Sequence, residues 1–405
     1  MKNKSLILAV RISMIAVLVT SMMMLGRVTK VESEEKTIKI GFMYGLTGWG
    51  SQNEILCRDG SLMAVDWINE KGGITIRGQK YLIEPVVEDI KGDIAGSLAA
   101  AEKLVNQHRV KFIVGAVVPP FTQAAGQVTE KAHVLRSLPY SAGFPDTMGP
   151  RTPYTFLSNS GSLSGIVPTL DYLLEIHPKV KTIGLMVAQD GAEEIIASHI
   201  KEACKPRGLD LVASVPWGFD TIDFQPLMTK LLASKPDAIS LMNGWDMALG
   251  QMIKASRKIG FKGPIVGMSF ESVPNIIQVA GADLVEGFFN HGMTNDPNDP
   301  LMPKETKFVA DRAMAKYGKF DTWYIFGWNP LWTLVQAIEH AQSLDTTEVA
   351  NTWRKMDKIQ TCHGLAKMGG QKTYGIKNAV CNPILIAQAV NGKAKIIKIV
   401  DNILP

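Results

Sequence analysis

The sequence predicts an α/β protein with two doubly wound, Rossmann-like lobes joined by a hinge that the chain crosses more than once. Its 405 residues exceed the usual size of one domain and suggest two. Short apolar strands and helices alternate in two separate runs, which is the pattern of parallel sheets covered by helices. The last third breaks that alternation and returns to strands, so we expect several passages between the lobes.

The first run begins with a strand at 37–42, a glycine-rich turn at 45–50 and a helix. This is the opening unit of an open α/β sheet, in which ligands bind at the carboxyl ends of the strands. The continuous apolar segment 111–118 is typical of a parallel strand that helices cover on both faces. The other predicted elements of this run are strands at 81–88 and 134–139 and helices at 94–107 and 122–133.

The second run starts near residue 157 and repeats the alternation. Its predicted elements are strands at 182–188, 209–215, 238–242 and 264–268 and helices at 192–205, 224–234 and 247–259. The last third is predicted to contain a strand at 282–291, a turn at 296–300, helices at 304–317, 323–343 and 346–356, and β-hairpins over 364–400. These patterns predict an N-terminal lobe of residues 37–156 plus 286–345. Residues 157–285 plus 346–405 would form the C-terminal lobe, and the cleft between them would hold a ligand.

Residues 1–33 have the features of a cleavable signal peptide. Basic residues precede an apolar segment at 12–26, which at 15 residues is short for a membrane-spanning helix. An uncleaved signal anchor is the alternative. Residues 1–33 contain five basic residues and one acidic residue, so the remainder carries a net charge near +1 of the total +5. We therefore expect an exported, soluble protein of the periplasm without a nucleic-acid or membrane-surface patch.

The four cysteines have no zinc-ligand spacing, and we expect no metal site. In an oxidising compartment, Cys362 and Cys381 are the expected disulfide, which would stabilise the fold by roughly 3 kcal/mol. Cys57 and Cys204 are expected to be small buried apolar residues. The sequence has no G-x-S-x-G, H-E-x-x-H or Walker A motif, and the first glycine turn is not G-x-G-x-x-G. We expect neither an enzyme nor a cofactor.

Four segments resemble the branched-chain amino-acid-type (Leu/Ile/Val-binding) periplasmic binding proteins of ABC transporters. They are residues 45–60, 64–73 (AVDWINEKGG), 123–125 and 250–260 (GQMIKASRKIG). The resemblance covers essentially the whole chain after the leader. It implies a type I binding protein, a monomer, that closes on a small ligand and docks on an ABC permease in the inner membrane.

When the family's amino-acid-binding positions are placed on this sequence, many of the residues that bind the amino acid are missing. Pro119 stands where a serine meets the ligand carboxylate, and proline offers neither N–H nor hydroxyl. Ala142 stands at the second carboxylate-binding position, although Ser141 is adjacent. Ser269 replaces the acidic partner of the ammonium, with Glu271 two residues beyond. A buried ammonium or carboxylate is costly without fixed partners, so the pocket is predicted to bind zwitterions poorly.

The same positions supply aromatic and polar side chains. The family's aromatic of the first helix turn is Asn53 here, whereas the aromatics at Trp245 and Tyr324 are retained. The predicted aromatic walls are Trp49, Phe121, Tyr140, Trp245, Phe270 and Tyr324. The predicted orienting groups are Asn53, Ser141, Gln189, Asp190, Ser269 and Glu271. Such walls suit an aromatic or apolar body, or a cation. The alternative for Phe121 and Phe270 is a place in the core.

The sequence thus predicts a receptor that feeds an ABC importer. Its ligand would be amino-acid-like, or an aromatic or aliphatic carboxylate or amide, sandwiched between Trp49 and Trp245. A sensory module that reports ligand occupancy to a receptor protein is the alternative, because the same fold serves both roles. An exported enzyme is the third hypothesis.

Overall fold

The computed structural model describes residues 36–48, 50–140, 147–159, 161–402 and 404. The predicted signal peptide, residues 1–33, lies outside the described residues. Residues 37–405 form one compact unit. No helix in the described part of the chain has the length and apolar character needed to cross a membrane.

Strands and helices alternate along most of the chain. The strands are β1 (Lys36–Tyr44), β2 (Ile74–Ile76), β3 (Gln79–Asp89), β4 (Phe112–Gly115), β5 (Leu135–Leu138), β6 (Thr155–Leu157), β7 (Thr182–Ala188), β8 (Asp210–Trp217), β9 (Ala238–Met242), β10 (Ile265–Gly267), β11 (Phe289–His291), β12 (Ile359–Thr361), β13 (Gly364–Gly369), β14 (Ala379–Cys381), β15 (Ile384–Val390) and β16 (Lys393–Val400). The α-helices are α1 (Ser51–Glu70), α2 (Ile94–Glu102), α3 (Pro119–Thr129), α4 (Ile166–Ile176), α5 (Glu193–Cys204), α6 (Gln225–Leu232), α7 (Asp246–Lys258), α8 (Val273–Ala280), α9 (Ala282–Val285), α10 (Lys304–Tyr317), α11 (Trp323–Ala341), α12 (Thr346–Trp353) and α13 (Gln371–Tyr374).

Within the described residues these strands form two sheets, and we call the elements on each sheet a lobe. The first lobe has the strand order β12-β13-β14-β6-β5-β4-β1-β3-β2, and the second has β16-β15-β11-β10-β9-β7-β8. The central pairs are parallel in both sheets, and antiparallel strands lie at both edges of the first sheet and at one edge of the second. This arrangement confirms the predicted fold class, because parallel central strands joined by helical crossovers define a doubly wound sheet.

The chain passes between the lobes at three places: between β6 and β7, between β11 and α10, and between β14 and β15. The last two passages come later than the sequence predicts. β11 belongs to the second sheet, although 286–345 was expected in the N-terminal lobe. β12, β13 and β14 belong to the first sheet, although 346–405 was expected in the C-terminal lobe. The reason is long-range pairing, since Ala379 on β14 pairs with Leu157 on β6.

Helices α1 and α11 cross in close contact within the first lobe. A Cβ atom at Gly327 would overlap the carbonyl oxygen of Cys57, and one at Gly60 would overlap that of Tyr324. The Ser61 hydroxyl donates a hydrogen bond of 2.9 Å to the Gly327 carbonyl. Glycine at both positions therefore permits backbone contact between the two longest helices of the lobe.

All four cysteines are free and buried, so the predicted Cys362–Cys381 disulfide is wrong. Cys362 lies at the turn between β12 and β13, where Thr361 pairs with Gly364. Cys381 is on β14 and pairs with Lys367, which lies farther along β13 than Gly364. β14 and β12 flank β13 on opposite sides. With about 3.4 Å per residue along a strand and about 4.8 Å between strands, this placement exceeds the roughly 6.8 Å limit for bridged Cα atoms. Cys57 and Cys204 are buried, as predicted.

We expect four titratable thiols in protein that is denatured without reductant. Each cysteine is a free thiol in the fold, and burial protects all four in the native state. Titration with a chromogenic disulfide reagent before and after denaturation measures both numbers. Two thiols in the denatured, unreduced protein would contradict the described arrangement.

The substitution Gly327→Ala should destabilise the protein by about 1–3 kcal/mol or more, because the added methyl group meets backbone rather than a movable side chain. Helix propensity alone predicts the opposite sign, since alanine is favoured over glycine by about 1 kcal/mol in a helix. Urea unfolding of wild type and variant measures the difference. An unchanged or higher free energy of unfolding would exclude the proposed contact.

Candidate functional site

A small cavity of about 50 Å³ lies between the two lobes. Almost every segment that lines it follows directly after the carboxyl end of a parallel strand, from β4 and β5 in the first lobe and from β7, β8, β9 and β10 in the second. The carboxyl ends of parallel strands are the usual ligand sites of doubly wound sheets. The described lining residues are Val117, Val118, Pro119, Tyr140, Asp190, Phe219, Asn243, Gly244, Trp245, Phe270, Glu271 and Trp323.

The first-lobe wall is formed by the start of α3. Val118 is the N-cap residue, and Pro119 and Pro120 occupy the first two helical positions. Proline is well suited to the first helical turn because its fixed φ matches the helix, but it brings no N–H group. Tyr140 stands beside this turn, and its hydroxyl donates a hydrogen bond of 3.2 Å to the side-chain oxygen of Asn243 in the second lobe.

The second-lobe wall is organised by Asn243, which follows β9 directly. Its φ of 55° lies in the left-handed region that asparagine tolerates better than most residues. Its backbone N–H donates to the Ser269 hydroxyl at 2.8 Å, and its side-chain amide donates to Asp190 at 3.2 Å. The Ser269 hydroxyl donates in turn to Glu271 at 2.5 Å. Asn243 therefore couples the two carboxyl groups that line the cavity.

Two indole rings meet across the cleft. Trp245 is the N-cap residue of α7 in the second lobe, and Trp323 opens α11 in the first. Their ring centroids are 5.1 Å apart with an interplanar angle of 55°. A Cβ atom at Gly50, in the glycine-rich turn before α1, would lie 3.1 Å from the Trp245 ring. The turn that opens the chain's first βα unit thus contacts the aromatic wall of the other lobe.

Asp246 joins the lobes next to these rings. Its carboxylate accepts hydrogen bonds from the Asn53 amide at 3.1 Å and from the Trp323 indole at 2.9 Å, both in the first lobe. It also accepts from the Ser272 backbone N–H at 2.7 Å and the Asn275 amide at 2.9 Å in its own lobe. One buried carboxylate is therefore bonded from both sides of the cleft.

Burial without a cationic partner raises the pKa of the acidic groups at the site. Desolvation raises the pKa of Glu271 to about 8, and hydrogen bonds from Ser269 and Asn290 offset only part of that rise. Desolvation also raises the pKa of Asp190 and of Asp246 to about 6. None of the ion pairs found among the described residues includes these three carboxyls.

The structure places six of the fourteen predicted ligand-binding residues around the cavity. Pro119, Tyr140, Asp190, Trp245, Phe270 and Glu271 line the cavity. Asn53 and Ser269 lie one hydrogen bond away from it, through Asp246 and Glu271. The predicted Trp49, Ser141 and Ala142 lie outside the described residues.

Three other predicted residues point elsewhere. Gln189 is exposed, and Phe121 is buried in the first-lobe core. Tyr324 is buried and stacks on Tyr317, with ring centroids 5.4 Å apart, so it does not line the cavity. Its neighbour Trp323 takes that place. Successive residues of a helix differ by about 100° in direction, so a shift of one position moves a side chain to another face.

Sequence reasoning missed several lining residues. They are Val117, Val118, Phe219, Asn243, Gly244 and Trp323. Phe219 and Asn243 follow the ends of β8 and β9, so the same rule that selects Asp190 after β7 would have selected them. A search of the described residues finds no group of three or more His, Cys, Asp or Glu side chains arranged to hold a metal ion.

A family model described as periplasmic binding protein matches residues 37–393 of the chain. The chain belongs to the periplasmic binding protein family. The Leu-, Ile-, Val-, Thr- and Ala-binding protein of Pseudomonas aeruginosa is 26% identical to it over 320 residues, which cover 78% of this chain and 82% of that protein. The relatives that this chain matches are named as binding proteins.

Solved structures share the fold of this periplasmic binding protein. The branched-chain amino-acid transporter substrate-binding protein LivJ of Streptococcus pneumoniae, in complex with isoleucine, has a TM-score of 0.73 and 22% identity, covering 90% of this chain and 100% of that one. An ABC-transporter solute-binding protein of Rhodopseudomonas palustris, in complex with 3,4-dihydroxybenzoic acid, has a TM-score of 0.74 and 17% identity, covering 91% and 98%. These two neighbours hold different classes of ligand in one fold.

We expect the free energy of unfolding to fall as the pH rises from about 4 to about 8. Burial raises the pKa of Glu54 and Glu271 to about 8 and of Asp190 and Asp246 to about 6. Unfolded carboxyls titrate near pH 4, so in this window the folded protein binds more protons than the unfolded chain. Each group contributes at most roughly 1.4 kcal/mol per pH unit.

Between pH 6 and 8, Glu271→Gln should remove about half of the decline that the carboxyls cause, because Glu54 is the other carboxyl whose pKa is near 8. The buried His291 and His363, whose pKa values are lowered, offset part of the decline in the lower half of this interval. Glu54→Gln should have a similar effect on the slope. Urea unfolding at several pH values measures it. Stability that rises across this interval in the wild type, or slopes that neither variant alters, would refute the assignment.

Proposed function

We propose that this protein is the extracytoplasmic receptor of a branched-chain amino-acid-type ABC importer. It binds a small organic solute in the cavity between its lobes and presents the loaded, closed form to a permease in the inner membrane. The observation that carries the proposal is that both lobes build the cavity, with Pro119 and Trp323 from the first and Trp245 and Glu271 from the second. A ligand held by both walls stabilises the closed form over the open one.

The hinge supports this reading. Asn159, just after β6, accepts a hydrogen bond of 2.7 Å from the Asn329 side-chain amide, and the side-chain oxygen of Asn329 accepts one of 2.7 Å from the Cys362 backbone N–H. Buried asparagines thus fix the first passage between lobes to the long helix α11 and to the β12–β13 turn. Short, well-anchored passages confine movement to rotation of one lobe against the other.

Hydrogen bonds that cross the cleft distinguish the closed form from an open form. Asp246 accepts from Asn53, and Tyr140 donates to Asn243. In an open form these polar groups would separate, and water would replace their partners. Ligand binding therefore excludes water from the site and completes the interlobe hydrogen bonds. We infer that the site also includes Trp49 and Ser141, as the sequence predicts.

Export completes the proposed role. Residues 1–33 are proposed to be a signal peptide that directs the chain to the periplasm, where a monomer would meet both solute and permease. The receptor would shuttle a solute that the membrane does not pass by itself. A signalling role remains the alternative, and uptake measurements separate the two.

Protein purified without refolding should release a small molecule on denaturation, and mass spectrometry identifies it. Trp245→Ala should weaken binding of that molecule at least tenfold, because the indole forms cavity wall on the second lobe. The control is Trp332→Ala, a partly buried tryptophan of α11 that does not line the cavity. Its affinity should equal that of wild type.

Cells that lack the protein should lose uptake of the released molecule, and wild type but not Trp245→Ala should restore it. Binding without any effect on uptake would exclude the importer role. Failure of any small molecule to co-purify, together with no thermal shift across amino acids, amines, amides and aromatic acids, would exclude solute binding in this cavity.

A further inference from the structure

The described lining of the interlobe cavity contains two carboxyl groups that can pair with a positive charge and no basic side chain to pair with a negative one. We propose that its ligand is a small organic cation of the ammonium type that lacks a carboxylate, seated against the indoles of Trp245 and Trp323 and paired with Glu271 and Asp190. This inference rests on the proposed solute-binding function and names the ligand class of the same site.

No basic side chain is available at the site. None of the described lining residues is lysine, arginine or histidine. The predicted site residues outside the described part are not basic either, because position 49 is tryptophan and residues 141–146 read SAGFPD. A ligand carboxylate in the cavity would be a buried charge without a cationic partner, which is among the costliest arrangements in a protein.

The helix N-termini around the cavity do not offer an anion site either. At α3 the first two helical residues are Pro119 and Pro120, so two of the N–H groups that would bind an anion are absent. At α7 the first helical residue is Asp246, whose own carboxylate accepts the Ser272 N–H. At α11 the carboxylate of Asp321 accepts the Trp323 N–H at 3.0 Å.

The helix after β7 repeats this pattern. The Asp190 carboxylate accepts the Ala192 N–H at 3.1 Å, and Glu193 and Glu194 lie in the first turn of α5. Of these four helix N-termini, three therefore carry acids of this chain and the fourth carries two prolines. An acidic side chain at the positive end of a helix dipole makes a further negative charge there less favourable.

Glu271 and Asp190 lack the partner that a cation would provide. Glu271 is 1% exposed and accepts from neutral groups: the Ser269 hydroxyl at 2.5 Å, the Asn290 amide at 3.4 Å and the Gly244 backbone N–H. Asp190 likewise accepts from neutral groups, namely the Ala192 N–H, the Asn243 amide and its own backbone N–H. An ammonium group placed in the cavity would pair with these carboxyls and stabilise their charged forms.

The aromatic wall fits the same ligand. Trp245 and Trp323 present indole rings at 55° to one another, and Phe270 adds a third ring 5.9 Å from Trp323. Ring faces attract cations, and tryptophan does so most strongly.

Isothermal titration calorimetry with four ligands that share a branched aliphatic chain but differ in charge, and with choline, tests the charge class of the ligand. Isopentylamine is cationic, isovaleramide neutral, isovalerate anionic and leucine zwitterionic, and choline adds a permanent cation. We expect isopentylamine or choline to bind at least tenfold more tightly than isovalerate and leucine. Equal or tighter binding of isovalerate or leucine would overturn the proposal.

Glu271→Gln should weaken binding of the cation at least tenfold and change the affinity for isovaleramide little. The control is Glu130→Gln, a partly buried carboxyl outside the cavity, which should bind the cation like wild type. If Glu271→Gln fails to fold, Asp190→Asn serves instead. A cation that binds both cavity variants as tightly as wild type would also overturn the proposal.

The pH dependence of the affinity distinguishes charge pairing with the carboxyls from packing on the aromatic rings. Choline does not titrate, so its affinity reports only the protein's carboxyls. Because pairing needs ionised Glu271, whose pKa is about 8 without ligand, affinity should rise severalfold between pH 6 and 8 in wild type. In Glu271→Gln the rise should shrink to the smaller contribution of Asp190, whose pKa is about 6, and a wild-type affinity independent of pH would contradict the pairing.

The two proposals fail in different ways. Release of a neutral or anionic solute from purified protein, with Trp245→Ala weakening it, would overturn the cation class and leave the receptor function in place. Absence of binding by every member of the series and of any co-purified molecule would overturn both.

Discussion

The arrangement of the two lobes depends on one carboxylate, that of Asp246. It is almost fully buried, and it is the shared acceptor of Asn53 and Trp323 from the first lobe and of Ser272 and Asn275 from the second. A buried acceptor with four donors is stable only while the donors remain in place, and losing one leaves a costly unpaired group. The separation of Trp245 and Trp323, and hence the width of the cavity, follows from this contact.

The hinge shows the same dependence on buried polar groups. His363 lies at the β12–β13 turn, and its ring nitrogen Nδ1 accepts a hydrogen bond of 2.6 Å from the Asn382 side-chain amide. Asn382 lies between β14 and β15, where the chain makes its last passage between the lobes. Desolvation lowers the pKa of His363 to about 4 and that of the buried His291 to about 3, so both rings are neutral at physiological pH. Because both rings are neutral, the hinge contains no buried histidine charge, and hydrogen bonds of asparagine amides define its geometry.

Local patterns predicted the two runs of strands and helices, because each βα unit is encoded within about 30 residues. They could not predict which sheet the later strands join, since β14 reaches the first sheet only by pairing with β6, more than 200 residues earlier. The same limit misled the disulfide prediction: spacing in sequence did not reveal that Cys362 and Cys381 lie on different sides of β13. At the site, positions after strand ends were predictable, whereas the helical phase that selects Trp323 over Tyr324 was not.

The departures at Pro119 and Glu271 gain meaning only when they are considered together. A pocket for an α-amino acid must solvate both a carboxylate and an ammonium, and each half needs its own partners. Here Pro119 and Pro120 remove donors from the anion half, while Glu271 and Asp190 keep acceptors in the cation half. Discrimination against an anion then needs no steric block, because a buried ligand carboxylate would find no basic side chain among the described lining residues. A cation meets the opposite balance, since its charge favours ionisation of Glu271 and Asp190 beside it.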